Sequence, residues 1–142
     1  MGYTTFLGDS ASMVNDIVEK RFVIEAFRRV SNKILCSSLG ESAGKAILFF
    51  LHAELGRDPC EMFWENPKAA YQAMEKVLSI GTKVLISILI TRINQEYDLT
   101  MDPKHFLSLM CNGSQGSVEE IRAFLRKIAE LYRKRMNCEW KA

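Results

Sequence analysis

The chain has 142 residues, of which 48% are hydrophobic and 25% are charged, and this balance is typical of a folded domain rather than of a disordered segment. The length fits a single domain over residues 1–142. The formal net charge of +2 is too small to indicate nucleic-acid binding by itself. The longest apolar run is well short of the roughly 20 residues that span a bilayer, and the N-terminus lacks the pattern of a signal peptide. We therefore expect a cytoplasmic protein without a membrane span.

The cysteines are too widely spaced to suggest a zinc site. Such sites usually contain a closely spaced ligand pair, and no CxxC pair is present. A chain with this many apolar residues also folds without disulfides. We predict no metal and no cofactor, with the cysteines as buried free thiols: Cys36, Cys60, Cys111 and Cys138.

The first two predicted helices are separated by a glycine. The first begins at a cap, Asp9 or Ser10, and runs to about Leu35. Gly40 suits a left-handed position at its end. The second helix is predicted over residues 41–55, and its small residues would let another helix approach closely: Ser42, Ala43, Gly44 and Ala46.

Three Asx-Pro pairs predict the starts of the next helices, because each places a capping side chain before a first-turn proline. Asp58-Pro59 opens a short helix, Asn66-Pro67 opens one that runs to about Ile80, and Asp102-Pro103 opens another short one. The first of these carries three large apolar residues that are candidates for a groove or for the core: Met62, Phe63 and Trp64.

The segment over residues 82–93 has almost nothing polar between Lys83 and Arg92. A surface helix keeps a polar face and a half-buried strand alternates, and by its sequence this segment does neither. Its β-branched residues leave a strand open, but no second strand is available to pair with it. We predict a helix from a cap at Thr82 to Tyr97, covered on nearly all sides by its own chain or by a second subunit.

The last predicted helix follows a loop over residues 112–116. Ser117 and Glu120 form a capping box, and apolar residues then recur at helical spacing. The predicted fold is all-α, a compact bundle of five to six helices around the central apolar helix.

Polar signals for catalysis are weak. His52 and His105 each stand alone on a helix, and a lone histidine is more often structural than catalytic. Neither a GxSxG elbow nor a phosphate-binding glycine loop is present. The sequence therefore disfavours an enzyme without excluding one.

Basic residues on the first and last helices could form a patch that binds nucleic acid. Glutamates are interspersed among them, however, and this favours an ordinary solvated helix face. The basic residues concerned are Lys20, Arg21, Arg28, Arg29, Lys33, Arg126, Lys127, Arg133, Lys134 and Arg135.

Part of the chain, about residues 35–98, resembles a small archaeal all-α family. The similarity lies in the run LGESAGKAILFFL over residues 39–51, in Asp58-Pro59 with Phe63, and in Leu78-Ile80-Gly81 before the apolar helix. Members of that family are output domains, either stand-alone or attached to signalling modules. The resemblance implies a regulatory or interaction role in an archaeal cytoplasm and no catalytic residues.

The leading functional hypothesis is a non-enzymatic regulatory or interaction module that forms a homodimer. The alternatives are a small apolar ligand bound in the helical core and nucleic-acid binding. Candidates for the dimer contact are Ile121, Leu125, Ile128 and Tyr132, or instead Ala43, Ala46, Ile47 and Phe50. Candidates for the ligand pocket are Phe49, His52, Trp64 and Met74.

Overall fold

A computed structural model describes the backbone of residues 2–141 and the side chains of residues 14–137. Over that range the chain is all-helical, as predicted, with seven helices and no strand. The two short helices that follow Asp58 and Asp102 each stand as separate elements, so the number exceeds the predicted five to six. The helices are α1 (Gly2–Leu39), α2 (Glu41–Leu55), α3 (Pro59–Glu65), α4 (Pro67–Leu78), α5 (Gly81–Tyr97), α6 (Pro103–Asn112) and α7 (Gln115–Lys141).

The first helix is longer at both ends than predicted. Because α1 begins at Gly2, the predicted caps Asp9 and Ser10 lie within it, and their side chains fall outside the described residues. It ends at Leu39, and Gly40 follows with a φ of +95°. The expected glycine between the two helices is confirmed, and it turns the chain directly into α2. Its ψ of 151° lies outside the left-handed helical region that the sequence predicted.

The three predicted Asx-Pro caps are confirmed. The Asp58 carboxylate accepts a hydrogen bond of 3.1 Å from the backbone N–H of Cys60 at the start of α3. The Asn66 side chain accepts one of 3.2 Å from the N–H of Ala69, and Asp102 caps α6 in the same way. Each side chain satisfies an N–H that has no partner inside its helix.

Two other predicted caps are wrong. The N–H of Ser117 donates to Ser114 Oγ at 3.2 Å, so Ser114 caps α7 and Ser117 lies buried in its first turn. Thr82 also lies inside its helix, because α5 begins at Gly81. Its side chain is 1% exposed, and its hydroxyl has no hydrogen-bond partner among the described residues. The two errors have different causes. Two serines compete to cap α7, whereas α5 begins at Gly81 after Ile80 and has no side-chain cap.

Four phenylalanines join four helices into one core. The ring centroids of Phe27 and Phe63 are 5.2 Å apart, those of Phe63 and Phe106 are 6.5 Å apart, and those of Phe106 and Phe124 are 5.7 Å apart. They come from α1, α3, α6 and α7, so the aromatic contacts cross most of the molecule. Aromatic pairs at such distances stabilise a core by about 0.5–1.5 kcal/mol each beyond area burial.

The small residues of α2 allow α1 to approach it closely at one point. A Cβ placed on Gly44 would lie 3.0 Å from Cys36 N and 3.1 Å from the carbonyl carbon of Leu35. Two helix backbones therefore meet at Gly44. Ala43 and Ala46, by contrast, point to solvent.

The apolar helix α5 is not covered on nearly all sides within a single copy. Val84 is 60% exposed and Ile88 is half-buried, beside a shallow polar stripe of Lys83, Ser87 and Thr91. These three residues are spaced four apart, so they lie on one side of the helix. Two of them are Ser and Thr, which are only weakly polar, so the polar face is hard to recognise in the sequence. The opposite face packs into the core through Leu85, Ile86, Leu89, Ile90 and Ile93.

None of the helices in residues 2–141 combines the length and the apolarity that a membrane crossing requires.

Candidate self-association surface

The second helix leaves large aromatic side chains in solvent. It buries only Gly44 and Leu51, while Phe49 is 68% exposed and Phe50 is 55% exposed. The two rings pack edge to face, with their centroids 5.6 Å apart. Adjacent exposed phenylalanines form an apolar patch of the kind that often marks an interaction site.

Small and charged residues frame this aromatic pair. Ala43, Ala46 and Ala53 are exposed on the same helix, so a partner could approach its backbone. Lys45 lies towards the start of α2 and Glu54 towards its end, equally far along the chain from the Phe49-Phe50 midpoint. We call the exposed set of Ala43, Ala46, Phe49, Phe50 and Ala53 the α2 face.

The predicted dimer residues of the last helix are not at the surface. Ile121, Leu125 and Ile128 are at most 1% exposed in the core of their own chain, and Tyr132 is half-buried. Their regular spacing marks an apolar helix face, and α7 packs this face against α1 and α6 of its own chain. Buried side chains cannot form a contact between two folded copies, so this choice of interface does not fit the fold.

The alternative dimer residues lie on or beside the α2 face. Ala43, Ala46 and Phe50 are exposed, and Ile47 is half-buried against the core. Of the two sets that the sequence offered, the structure leaves only this one accessible.

The predicted ligand-pocket residues do not come together as one cavity. Phe49 and His52 are exposed on α2, whereas Trp64 and Met74 are 7% and 3% exposed. Trp64 is instead a structural residue. The guanidinium carbons of Arg122 and Arg126 lie 5.2 Å and 5.1 Å from its ring centroid, and Arg122 Nε donates to its carbonyl oxygen at 3.0 Å.

A second apolar surface lies where α4 meets α5. Ile80 is 91% exposed, and Val84 follows one turn later. The preceding residue, Ser79, has φ +53° and ψ −127°, a conformation that residues with a Cβ rarely adopt. Such strain persists only where the surrounding structure imposes it, and here it holds Ile80 out in solvent.

A histidine–carboxylate pair lies at the surface between α6 and α7. His105 Nε2 contacts Glu120 Oε2, and the two side chains are 50% and 48% exposed. Catalytic pairs are usually placed in a cleft where burial tunes their protonation. The half-exposed position indicates a surface contact between two helices rather than a buried catalytic pair.

The described cysteines are free, and only one of them is buried. Cys60 lies in the core, Cys36 is half-buried and Cys111 is exposed, while the side chain of Cys138 lies outside the described range. Burial raises the pKa of the Cys60 thiol to about 12. Over residues 14–137, no group of three or more His, Cys, Asp and Glu side chains is arranged to hold a metal ion.

Many of the basic residues on α1 and α7 are paired with carboxylates. Arg28 Nε donates to Asp58 at 2.8 Å, and Arg126 Nε donates to Glu19 at 2.7 Å. These pairs neutralise much of the positive patch that the sequence suggested. Further pairs are Lys20 with Glu65, Arg29 with Glu25, Lys134 with Glu130 and Arg135 with Glu96.

No protein-family model, curated protein or solved structure matches the chain. The resemblance to archaeal output domains therefore stays a prediction.

Sequence reasoning missed the outward position of Phe49 and the exposure of Ile80. The signal for Phe49 was present. Residues 43–51 are apolar on every side of the helix except at Lys45. A helix that packs against the core with one side cannot bury all of these residues, so some of them must face solvent. Ile80 gave no such signal, because its exposure depends on the strained backbone of Ser79.

Proposed function

We propose that this protein is a non-enzymatic regulatory or protein-interaction module that works as a homodimer joined through the α2 face. The observation that supports it most is the exposure of Phe49 and Phe50, at 68% and 55%, on a helix that buries only Gly44 and Leu51. The signalling context, archaeal in type and cytoplasmic, rests on the resemblance of residues 35–98 alone.

Exposed phenylalanine rings are unfavourable in water, and burial against a partner removes them from it. Fully burying a side chain of this size stabilises by roughly 1.5–3 kcal/mol. A two-fold dimer repeats each contact, so four partly exposed rings would be covered at once. Association itself costs several kcal/mol, so we expect a dissociation constant in the micromolar range rather than below it.

The α2 face is also complementary to itself. When two copies of α2 pack antiparallel about the Phe49-Phe50 midpoint, the aromatic rings of both copies meet at the centre of the contact. Ala46 and Ala53 are equally far from the same midpoint, so each small side chain would face another. Lys45 and Glu54 lie on the two edges of the face, where they pair with Glu41 and Lys76 of their own chain at 2.6 Å and 3.3 Å. Charged side chains therefore border the apolar contact without entering it.

The junction of α4 and α5 is the alternative place for the same contact. Ile80 and Val84 would be covered there, and a second copy would then complete the enclosure of α5. We favour the α2 face because it presents two aromatic rings and small residues on one regular helix. The junction presents only two separated aliphatic side chains.

Light scattering coupled to size-exclusion chromatography tests this proposal. At 100 µM the wild-type chain should elute with twice the monomer mass. Phe49→Ser with Phe50→Ser should elute as a monomer with unchanged helical circular dichroism, because both rings are already in solvent.

The matched control is Ile80→Ser with Val84→Ser, which removes exposed apolar surface elsewhere and should leave the dimer intact. A wild-type monomer at 100 µM would refute self-association. Dissociation by the control but not by the phenylalanine variant would move the contact to the α4–α5 junction.

A further inference from the structure

A cleft of about 500 Å³ opens between α1, α5 and α7, on a part of the surface that the α2 face does not line. Volumes of this size are typical of sites for small organic ligands. The cleft is formed by elements from the beginning, middle and end of the chain, so no linear motif could have revealed it.

Four cationic side chains line this cleft: Arg29 and Lys33 from α1, Arg92 from α5 and Arg135 from α7. A single carboxylate, Glu96, lies among them. The cleft is therefore strongly positive although the whole chain carries only +2. A concave surface lined by one sign of charge concentrates ligands of the opposite sign.

Two of the four cations are already engaged, and two are not. Arg29 Nε donates to Glu25 at 3.0 Å, and Arg135 Nη2 donates to the carbonyl oxygen of Glu96 at 2.6 Å. Lys33 and Arg92 have no hydrogen bond or ion pair with any residue that the structure describes. Their charges are exposed and available to an incoming anion.

The engaged cations also stiffen the cleft walls. Arg135 lies over the ring of Tyr97, with its guanidinium carbon 4.7 Å from the ring centroid. Glu25 accepts the hydrogen bond from Arg29, and it is the main cause that raises the pKa of that guanidinium. Cations that are held in place lose less freedom when a ligand binds.

Three aliphatic side chains also line the cleft, beside Ser37, Tyr97 and Tyr132. Val30 and Ile34 are 4% and 6% exposed at its base, and Met136 is 45% exposed at its edge. Methionine adapts its shape to irregular apolar partners. A purely ionic site for a small inorganic anion would not need this apolar base.

We propose that this cleft binds a small amphipathic organic anion, with its carboxylate or phosphate head at Lys33 and Arg92 and its apolar body over Val30, Ile34 and Met136. The proposal concerns a different surface from the dimer contact and does not depend on it. It also differs from the ligand pocket that the sequence suggested, because the site lies between helices at the surface and is cationic.

Methyl NMR of the wild-type chain tests the site directly, with Met136 and Ile34 as reporters. Octanoate and octyl phosphate should shift both methyl resonances with submillimolar affinity, and 0.5 M NaCl should weaken both. Octanol and inorganic phosphate, which each lack one half of the proposed ligand, should bind at least tenfold more weakly. A tenfold preference between the two anions identifies the head group, and similar affinities mean that the site accepts either.

Charge variants locate the head group. Lys33→Gln with Arg92→Gln should bind octanoate and octyl phosphate at least tenfold more weakly. Lys104→Gln with Lys127→Gln removes the same charge outside the cleft and should bind like the wild type. Four results would overturn the proposal: unshifted Met136 and Ile34 methyls at 5 mM of either anion, octanol binding as tightly as octanoate, inorganic phosphate binding as tightly as octyl phosphate, or equal effects of the two double variants.

Discussion

Gly44→Ala should destabilise this protein, although alanine is the better helix former. In an open helix the change from glycine to alanine stabilises by roughly 0.5–1 kcal/mol. At Gly44 the new Cβ would lie 3.0 Å from Cys36 N and 3.1 Å from the carbonyl carbon of Leu35. Both are backbone atoms, so the two helices must separate by a few tenths of an ångström.

Overpacking of this kind costs about 1–3 kcal/mol. The balance with the propensity gain is a net loss of about 1 kcal/mol, or roughly 3 °C in Tm for a chain of this length.

Gly116→Ala is the matched control for Gly44→Ala. Gly116 lies in the first turn of α7, and nothing lies within 4 Å of a Cβ placed there. The control should therefore keep part of the propensity gain and stabilise by up to about 0.5–1 kcal/mol.

Urea unfolding of both variants, followed by circular dichroism at one protein concentration, measures the difference. The concentration must be fixed because self-association would add to the stability. If Gly44→Ala stabilised the chain as much as Gly116→Ala, the close approach of α1 and α2 would not be real.

Two further predictions concern a strained residue and a buried one. Ser79→Gly should stabilise by about 1 kcal/mol in the same urea assay, because glycine adopts the positive φ at the α4–α5 junction without a Cβ clash. Ser79→Ala keeps the Cβ and should give no gain; an equal gain would contradict the strain. Iodoacetamide at pH 8 should alkylate the exposed Cys111 and spare Cys60, whose pKa of about 12 keeps the thiol protonated. Peptide mass mapping would read both sites, and equal labelling of the native protein would refute the buried position.

The elements of this fold were largely readable from the sequence. Proline and glycine set the boundaries: Asp58, Asn66 and Asp102 cap as expected, and Gly40 turns the chain between α1 and α2. These are local effects, since each depends on one or two neighbouring residues. The cap of α7 was misplaced because Ser114 and Ser117 are both good caps, and only the three-dimensional path of the chain decides between them.

Which face of each helix meets which partner was not readable. The pattern on α7 predicted an apolar face, but it did not predict that α1 and α6 of the same chain would pack against that face and bury it. The sequence made Phe49 a candidate for a ligand pocket and did not indicate that its ring would remain in solvent. The cleft depends on side chains separated by about a hundred residues, from Arg29 to Arg135, so its charge could appear only once α1, α5 and α7 were packed together.

The pairing of α1 with α7 has a consequence for how the chain folds during synthesis. Glu19 and Arg126 are 107 residues apart, and their side chains meet where these two helices pack. Ribosomes add roughly 5–20 residues per second, so α1 is made roughly 5–20 s before α7 can cover it. During that interval the apolar side of α1, including Val23 and Phe27, has no partner from the end of the chain. A nascent chain of this protein should therefore bind chaperones until α7 emerges.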